Sequence, residues 1–138
     1  MTTVNLQDWI GKTEERNDLL TAFPANAMAA TLNHEQINYS ANKNLPPLWH
    51  WLFFLPIFKL SEAGYDGHAA LGDFLPPVKL PRRMWAGSRI QFLEPLKIGH
   101  EYKKTSTIKN VMAKSGRSGE LVFVTVSHEV SNLSLIHI

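Results

Sequence analysis

Apolar residues follow helical spacing in the first half of the chain and alternate with polar residues towards its end. Asn5, placed just before the apolar positions of residues 6–10, predicts a short capped helix that ends at Gly11. Pro24 is tolerated at the first position of a helix, and residues 25–32 are rich in helix formers. The pattern therefore predicts two helices early in the chain.

The segment between Pro47 and Pro56 is the most apolar stretch of the chain. Four of its residues recur at i, i+3, i+4 and i+7, namely Leu48, Trp51, Leu52 and Leu55. Aromatic residues fill the other sides, so we predict a helix of about two or three turns that is buried nearly all round. The Gly- and Pro-rich residues 61–82 then predict a long connection.

Strand-like alternation begins at Met84 and predicts strands over residues 84–92 and 101–112. In the last predicted strand, four valines alternate with mostly polar residues: Val122, Val124, Val126 and Val130. The Ser-Gly-Arg-Ser-Gly run at residues 115–119 has the composition of a hairpin loop, which makes the strands beside it antiparallel neighbours. The predicted fold class is α+β, an antiparallel sheet with one buried helix against it.

Length and charge limit the possible classes of protein. With 138 residues the chain has room for one domain, residues 1–138, made of a helical region over residues 1–80 and a strand-rich region over residues 81–130. A net charge of +2 supplies no strong basic field, so we predict no nucleic-acid partner. The absence of cysteine excludes disulfides, thiolate zinc sites and a catalytic thiol.

The sequence predicts neither a targeting segment nor a membrane partner. The first thirty residues contain four acidic residues and no long apolar run, which is unlike a signal or transit peptide. The apolar residues 45–58 are interrupted by three prolines and a histidine and are too short to span a bilayer. We therefore expect a cytoplasmic protein.

Common catalytic and cofactor motifs are missing from the sequence. It has no Gly-rich phosphate loop after a strand, no Gly-x-Ser-x-Gly and no His-Glu-x-x-His. The six histidines show no spacing that would bring three of them to one metal. We therefore predict no metal and no cofactor.

At two places in the sequence an acidic residue lies beside or close to a histidine, and the two cases differ in whether the side chains could interact. His128 and Glu129 are adjacent on a predicted strand and point to opposite faces, which excludes a local acid–base pair. The Asp66-Gly67-His68 run lies in the long connection, where Asp66 could stabilise a turn beside an exposed His68 or form an acid–base pair with it.

Two further groups are candidates for binding. His50 lies between Trp49 and Trp51, so it must be a hydrogen-bonded core residue or reach a cavity. Arg82 and Arg83 precede a predicted strand, where they could bind an anion such as phosphate or remain a solvated pair of charges.

Several stretches together resemble one family: residues 45–55 (LPPLWHWLFFL), 66–68 (DGH), 74–77 (FLPP), 80–87 (LPRRMWAG), 92–99 (FLEPLKIG) and 121–126 (LVFVTV). They resemble the N-terminal half of the hydroxyacyl-thioester dehydratase type 2 and mesaconyl-C4-CoA hydratase group, a MaoC-like set of double hot-dog proteins. The resemblance covers roughly residues 13–130, and the combination of 80–87 with 46–55 makes it specific.

This resemblance implies a hot-dog fold, with a long central helix wrapped by an antiparallel sheet, and reversible addition of water to an enoyl thioester. It implies an acyl-CoA or acyl-carrier-protein thioester as substrate, and a second hot-dog half or a second copy of the chain as partner. In such families the catalytic residues lie on an Asp-x-x-x-x-His stretch of the C-terminal hot-dog, and this sequence has none. A hot-dog sheet would need a further strand after Val130, so we expect a truncated chain with a sheet incomplete at its C-terminus.

The resulting hypothesis is the non-catalytic, substrate-groove half of an (R)-specific hydroxyacyl-thioester dehydratase or enoyl-thioester hydratase. We predict that Trp49, His50 and Trp51 line the groove, that Arg82 and Arg83 contact phosphate, and that Trp85 and Gly87 permit close backbone approach. One alternative is a non-catalytic acyl-thioester-binding or dimerisation module. Another is a small thioesterase, whose acid would be Asp66, Asp73 or Glu94.

Overall fold

The computed structural model describes residues 5–117 and 119–133. These residues form two compact units. The first unit draws its described residues from Met1–Glu15, Pro56–Gly87 and Thr105–Glu129, and the second draws its own from Arg16–Leu55, Ser88–Lys104 and Val130–Ile138. The expected incompleteness of the sheet at the end of the chain concerns residues beyond 133, which lie outside the described residues.

Three strands and one α-helix make up the regular structure of the described residues. Their bounds are β1 (Thr13–Leu19), α1 (Ala22–Thr31), β2 (Glu101–Gly116) and β3 (Gly119–Asn132). Single-turn 3-10 helices cover Leu6–Trp9, Trp49–Leu52 and Leu60–Glu62. The strands form one sheet in the order β1-β2-β3, which confirms the predicted α+β class and is consistent with a hot-dog fold.

Both strand pairs are antiparallel. Just before β1 the Gly11 N–H donates to the Ile108 carbonyl of β2 at 2.8 Å, and just after β1 the Leu20 N–H donates to the carbonyl of His100, which precedes β2, at 3.1 Å. Residue numbers thus rise along β1 while those of its partners on β2 fall. The connection between β2 and β3 is too short for a parallel crossover, as the predicted hairpin requires.

Strand β1 was not predicted because it has no apolar alternation. Its half-buried positions are Glu14, Arg16 and Asp18, which are all charged. The Arg16 Nη1 group donates to the Phe54 carbonyl at 3.2 Å, and the Phe54 N–H donates to Asp18 Oδ2 at 2.9 Å. One face of β1 therefore satisfies both backbone polar groups of the buried Phe54.

The two helices predicted near the N-terminus are confirmed. Asn5 accepts the Gln7 N–H at 3.0 Å and caps the turn Leu6–Trp9, and Gly11 follows with a positive φ of 91°. Helix α1 begins two residues before Pro24, which is tolerated there because the first N–H groups of a helix have no intrahelical partner.

The helix predicted between Pro47 and Pro56 is wrong. The structure has one 3-10 turn there, Trp49–Leu52, and the residues on either side stop it from extending. Leu48 and Phe54 have positive φ values of 73° and 59°, which an α-helix does not allow. Nor is the segment buried all round, since Trp51 is 56% exposed and Leu55 is 65% exposed.

The strand predicted over residues 84–92 is also wrong. This segment has no regular secondary structure, and Met84 and Trp85 are 85% and 73% exposed. Alternation marks a surface that could be half-buried, but a strand also needs a hydrogen-bonded neighbour.

The hairpin and its valine face are confirmed. Val122, Val124, Val126 and Val130 are half-buried, whereas Leu121, Phe123 and Thr125 are exposed. Each unit has its own buried residues. Those of the second unit are Leu20, Ala25, Ala29, Leu45, Phe53, Phe54, Ile98 and Tyr102, and those of the first include Pro76, Ser106, Ile108 and Val111.

We predict that Asp18→Ala lowers the free energy of unfolding by about 1–3 kcal/mol, because the buried Phe54 N–H loses its acceptor. Urea unfolding at fixed protein concentration measures the change. Asn17→Ala, at the exposed neighbouring position, is the matched control and should alter stability much less. Equal unfolding midpoints for Asp18→Ala and the wild type would contradict the role assigned to Asp18.

We also predict that the isolated chain is a poor monomer. In the described sheet, β1 and β3 each have one neighbour, and Ile57 and Leu60 are almost fully exposed. Unpaired edges and exposed apolar side chains favour association. Sedimentation velocity and thermal unfolding should therefore depend on concentration, and reversible, cooperative unfolding of a monomer would refute the prediction.

Candidate functional site

The first unit contains a cavity of about 650 Å³, which we call the arginine-lined cavity. Three β3 valines and the apolar residues of segment 65–85 form most of its wall. Its charged lining residues are Asp66, His68, Arg82 and Arg83. An apolar wall with a few charged groups is typical of a site for an amphipathic ligand.

Backbone hydrogen bonds hold the loop that carries Asp66 and His68. The Gly64 N–H donates to the His68 carbonyl at 2.6 Å, and the Ala70 N–H donates to the Glu62 carbonyl at 3.1 Å. An isolated antiparallel bridge joins Ala63 to Ala69. The loop is therefore a narrow hairpin with Asp66-Gly67-His68 near its tip, and Gly67 takes the positive φ of 84° that the turn requires.

The rest of the long connection is also attached to the first unit. Trp9 Nε1 donates to the Asp73 carbonyl at 3.0 Å, and the Lys12 ammonium donates to the same carbonyl. The Gly72 N–H donates to the Leu75 carbonyl at 2.8 Å, just before the buried Pro76. A connection without a helix or strand is thus kept in place by side-chain and turn hydrogen bonds.

Asp66 contacts His68 with both carboxylate oxygens. Its Oδ1 accepts the His68 N–H at 3.0 Å, and its Oδ2 lies 3.2 Å from His68 Nδ1. The backbone N–H of His68 is the main reason that the pKa of Asp66 is lowered, although burial opposes this shift. Asp66 therefore stabilises the turn and also contacts the imidazole.

Arg82, Arg83 and Trp85 line the same cavity. Within residues 5–117 and 119–133, neither guanidinium has a hydrogen bond or an ion pair with the protein. Gly87 lies outside the cavity lining, and a Cβ added there would meet no protein atom within 4 Å. The close approach of a ligand to the Gly87 backbone stays a prediction.

The second unit contains a smaller cavity of about 400 Å³, which we call the proline-lined cavity. Its walls are residues 44–48 and 92–96, and His50 completes the lining. The His50 ring makes edge contacts with Trp51 at 5.9 Å and Phe92 at 6.5 Å between ring centroids. Burial, with a smaller contribution from the charge of Lys104, lowers the pKa of His50 and so favours the neutral imidazole.

The two tryptophans beside His50 line neither cavity. Trp49 packs on the core of the second unit, with its ring 5.5 Å from that of Tyr39 and 5.9 Å from that of His34. Trp51 is mostly exposed. Of the candidate acids for a thioesterase, Asp66 lines the arginine-lined cavity, Glu94 lines the proline-lined cavity and Asp73 lines neither.

The described residues contain neither a metal site nor a membrane-spanning helix. Within residues 5–117 and 119–133, no group of three or more histidine and acidic side chains could hold a metal ion. Helix α1, with ten residues, is far too short to cross a membrane, and no other described helix is longer.

Comparison with known proteins decides the family. The profile of the family described as "Hydroxyacyl-thioester dehydratase type 2" matches residues 48–136, which include all the charged lining residues of the arginine-lined cavity. This chain belongs to that family. The resemblance noted in the sequence is thereby confirmed.

The chain is also similar to mesaconyl-C(4)-CoA hydratase of Chloroflexus aurantiacus. The two are 45% identical over 130 residues, which cover 94% of this chain and 46% of the relative. The chain thus spans about half the length of this curated relative.

We predict that His50 makes the folded protein less stable in mild acid. Because its pKa is lowered in the folded state, the unfolded chain takes up the proton first as the pH falls. The stability due to neutral His50 is complete above about pH 7 and falls as the pH drops through the ordinary pKa of about 6.5. Urea unfolding at about pH 7.5 and pH 5.5 should show a smaller loss for His50→Gln than for the wild type. Equal losses would show that His50 does not contribute.

Proposed function

We propose that this chain forms the substrate-groove half of an (R)-specific hydroxyacyl-thioester dehydratase or enoyl-CoA hydratase. One observation carries the proposal. The arginine-lined cavity combines an apolar wall with Arg82 and Arg83, two cations that have no partner among residues 5–117 and 119–133. Its ligand should therefore have an apolar chain and an anionic group.

A thioester of coenzyme A or of a phosphopantetheine carrier has this chemistry. Its acyl and pantetheine groups would contact Val122, Val124 and Val126, and the burial of apolar atoms would favour binding. Its phosphate would contact Arg82 and Arg83, since a guanidinium forms strong, paired hydrogen bonds with phosphate oxygens. Trp85, on the same lining, would pack beside the ligand.

The chemical step requires groups that this chain does not contain in the family's usual form. Addition of water to an enoyl thioester needs a base and an acid near the double bond and a donor for the thioester carbonyl. The family's Asp-x-x-x-x-His stretch has no match in the sequence. In the proposal, a second hot-dog half or a second copy of the chain supplies it.

The family and the name of the relative support this proposal. The relative is a hydratase whose name contains a CoA thioester, and the matched family is named for a dehydratase of hydroxyacyl thioesters. The alternative of a non-catalytic binding or dimerisation module has no such support. A cytoplasmic location and a place in fatty acid metabolism are further elements of the proposal.

We predict that replacing both arginines, Arg82→Ala with Arg83→Ala, weakens binding of a CoA thioester by about tenfold or more. Hydrogen bonds to charged groups contribute about 1.5–3 kcal/mol, and 1.4 kcal/mol corresponds to tenfold. Isothermal titration of crotonyl-CoA into the full chain measures the change. Lys79→Ala is the matched control, because Lys79 is an exposed cation of the same segment that does not line the cavity. Unchanged affinity in the double variant would disprove the phosphate role.

A further inference from the structure

The arginine-lined cavity contains an imidazole that the proposed function does not use. Its titratable lining residues are Tyr65, Asp66, His68, Arg82 and Arg83, while the wall contributed by β3 consists of valines alone. Among these side chains, only histidine ordinarily changes charge between about pH 5 and pH 8. A proton on His68 would add one positive charge to the cavity lining.

Asp66 determines which nitrogen of His68 can meet a ligand. Its Oδ2 lies 3.2 Å from Nδ1, so the carboxylate favours a proton on that nitrogen. Its Oδ1 accepts the His68 backbone N–H at 3.0 Å, which fixes the turn on which the ring is mounted. With Nδ1 engaged, Nε2 is the nitrogen left for a ligand.

The protonation of Nε2 reverses its interaction with an anion. In the neutral ring with Nδ1–H, Nε2 is a hydrogen-bond acceptor and does not favour a phosphate oxygen. In the imidazolium, Nε2–H is a charge-assisted donor to that oxygen. His68 is 61% exposed, so solvent protons reach it readily.

The net charge of the cavity lining also favours an anion more strongly when His68 is protonated. Asp66 offsets one of the two guanidinium charges, which leaves one net positive charge when His68 is neutral and two when it is protonated. Asp66 is the only carboxylate among the described lining residues. It already accepts two contacts from His68, so it competes little with a bound anion for the arginines.

We propose that protonated His68, held by Asp66, is a third phosphate-binding group of the arginine-lined cavity. The ligand therefore binds more tightly in mild acid than in mild base. This inference rests on the proposed function, because it takes the same ligand in the same cavity. The shared ligand chemistry is a phosphate group, which either coenzyme A or a carrier-bound phosphopantetheine could supply.

The test measures the affinity of the full chain at about pH 6 and about pH 8 by isothermal titration. The probe is 3′-dephospho-CoA, because its diphosphate keeps a constant charge over this range, whereas a phosphate monoester titrates near pH 6. We expect wild-type affinity to be about threefold to tenfold higher at the lower pH, the gain from one charge-assisted hydrogen bond at an exposed site. His68→Gln should remove this difference and bind at both pH values about as weakly as the wild type does at pH 8.

His34→Gln is the matched control, because His34 is an exposed histidine of the second unit that lines neither cavity. It should keep the wild-type dependence of affinity on pH. A wild-type dependence that persists in His68→Gln, or that is lost in His34→Gln, would overturn the inference. The proposed function would still stand if the double arginine variant lost affinity at both pH values, and both would fail if the wild type bound no probe at all.

One more ligand, 4′-phosphopantetheine, identifies which phosphate is bound. It is compared with 3′-dephospho-CoA at a single pH of about 6, so that the charge of its phosphate monoester is the same for the wild type and for His68→Gln. An equal loss of affinity for both ligands in His68→Gln would assign His68 to the pantetheine phosphate, which both carriers share, and a loss for 3′-dephospho-CoA alone would assign it to the nucleotide side of coenzyme A. Either result supports phosphate binding when His68→Gln removes the pH dependence.

Discussion

The backbone pairing of β2 is the constraint on which the described structure depends. It is the one strand of the described sheet with a hydrogen-bonded neighbour on both sides, β1 and β3. Its residues also enter the cores of both units: Tyr102 is buried in the second unit, and Ile108 and Val111 are buried in the first. Most of the chain between α1 and β2 has no strand ladder of its own.

The loops that line the arginine-lined cavity are held by individual hydrogen bonds, because they contain little regular secondary structure. In the first unit, Asp66 fixes the tip of a narrow hairpin and the Asp73 carbonyl accepts bonds from Trp9 and Lys12. Residues 81–85 are exposed, and Arg82 and Arg83 line the arginine-lined cavity. A loop on a rigid framework is a common place for binding residues, and the family match extends over this one.

The sequence predicted only some of these features. Arg82, Arg83 and Trp85 were named from the sequence and share a cavity, because neighbours in one short segment remain neighbours in space. His50 was separated from Trp49 and Trp51, since positive φ values at Leu48 and Phe54 leave only one 3-10 turn where helical spacing predicted more. The role of β1 could not be predicted from the sequence, where Arg16 and Asp18 resemble solvated charges. Only the structure shows that both side chains hydrogen-bond to the backbone of Phe54.

The sequence by itself determined the hairpin, the capped N-terminal turn, α1 and the family, because each is encoded in a contiguous pattern of residues. Only the tertiary structure decided which charged residues have partners within the protein and which line a cavity. Arg16 donates to a carbonyl 38 positions further along the chain, whereas Arg82 lines a cavity whose wall includes valines of β3. The physical reason is that hydrogen bonding and burial depend on distance in space, and a charged side chain looks the same in sequence whether its partner is the protein or a ligand.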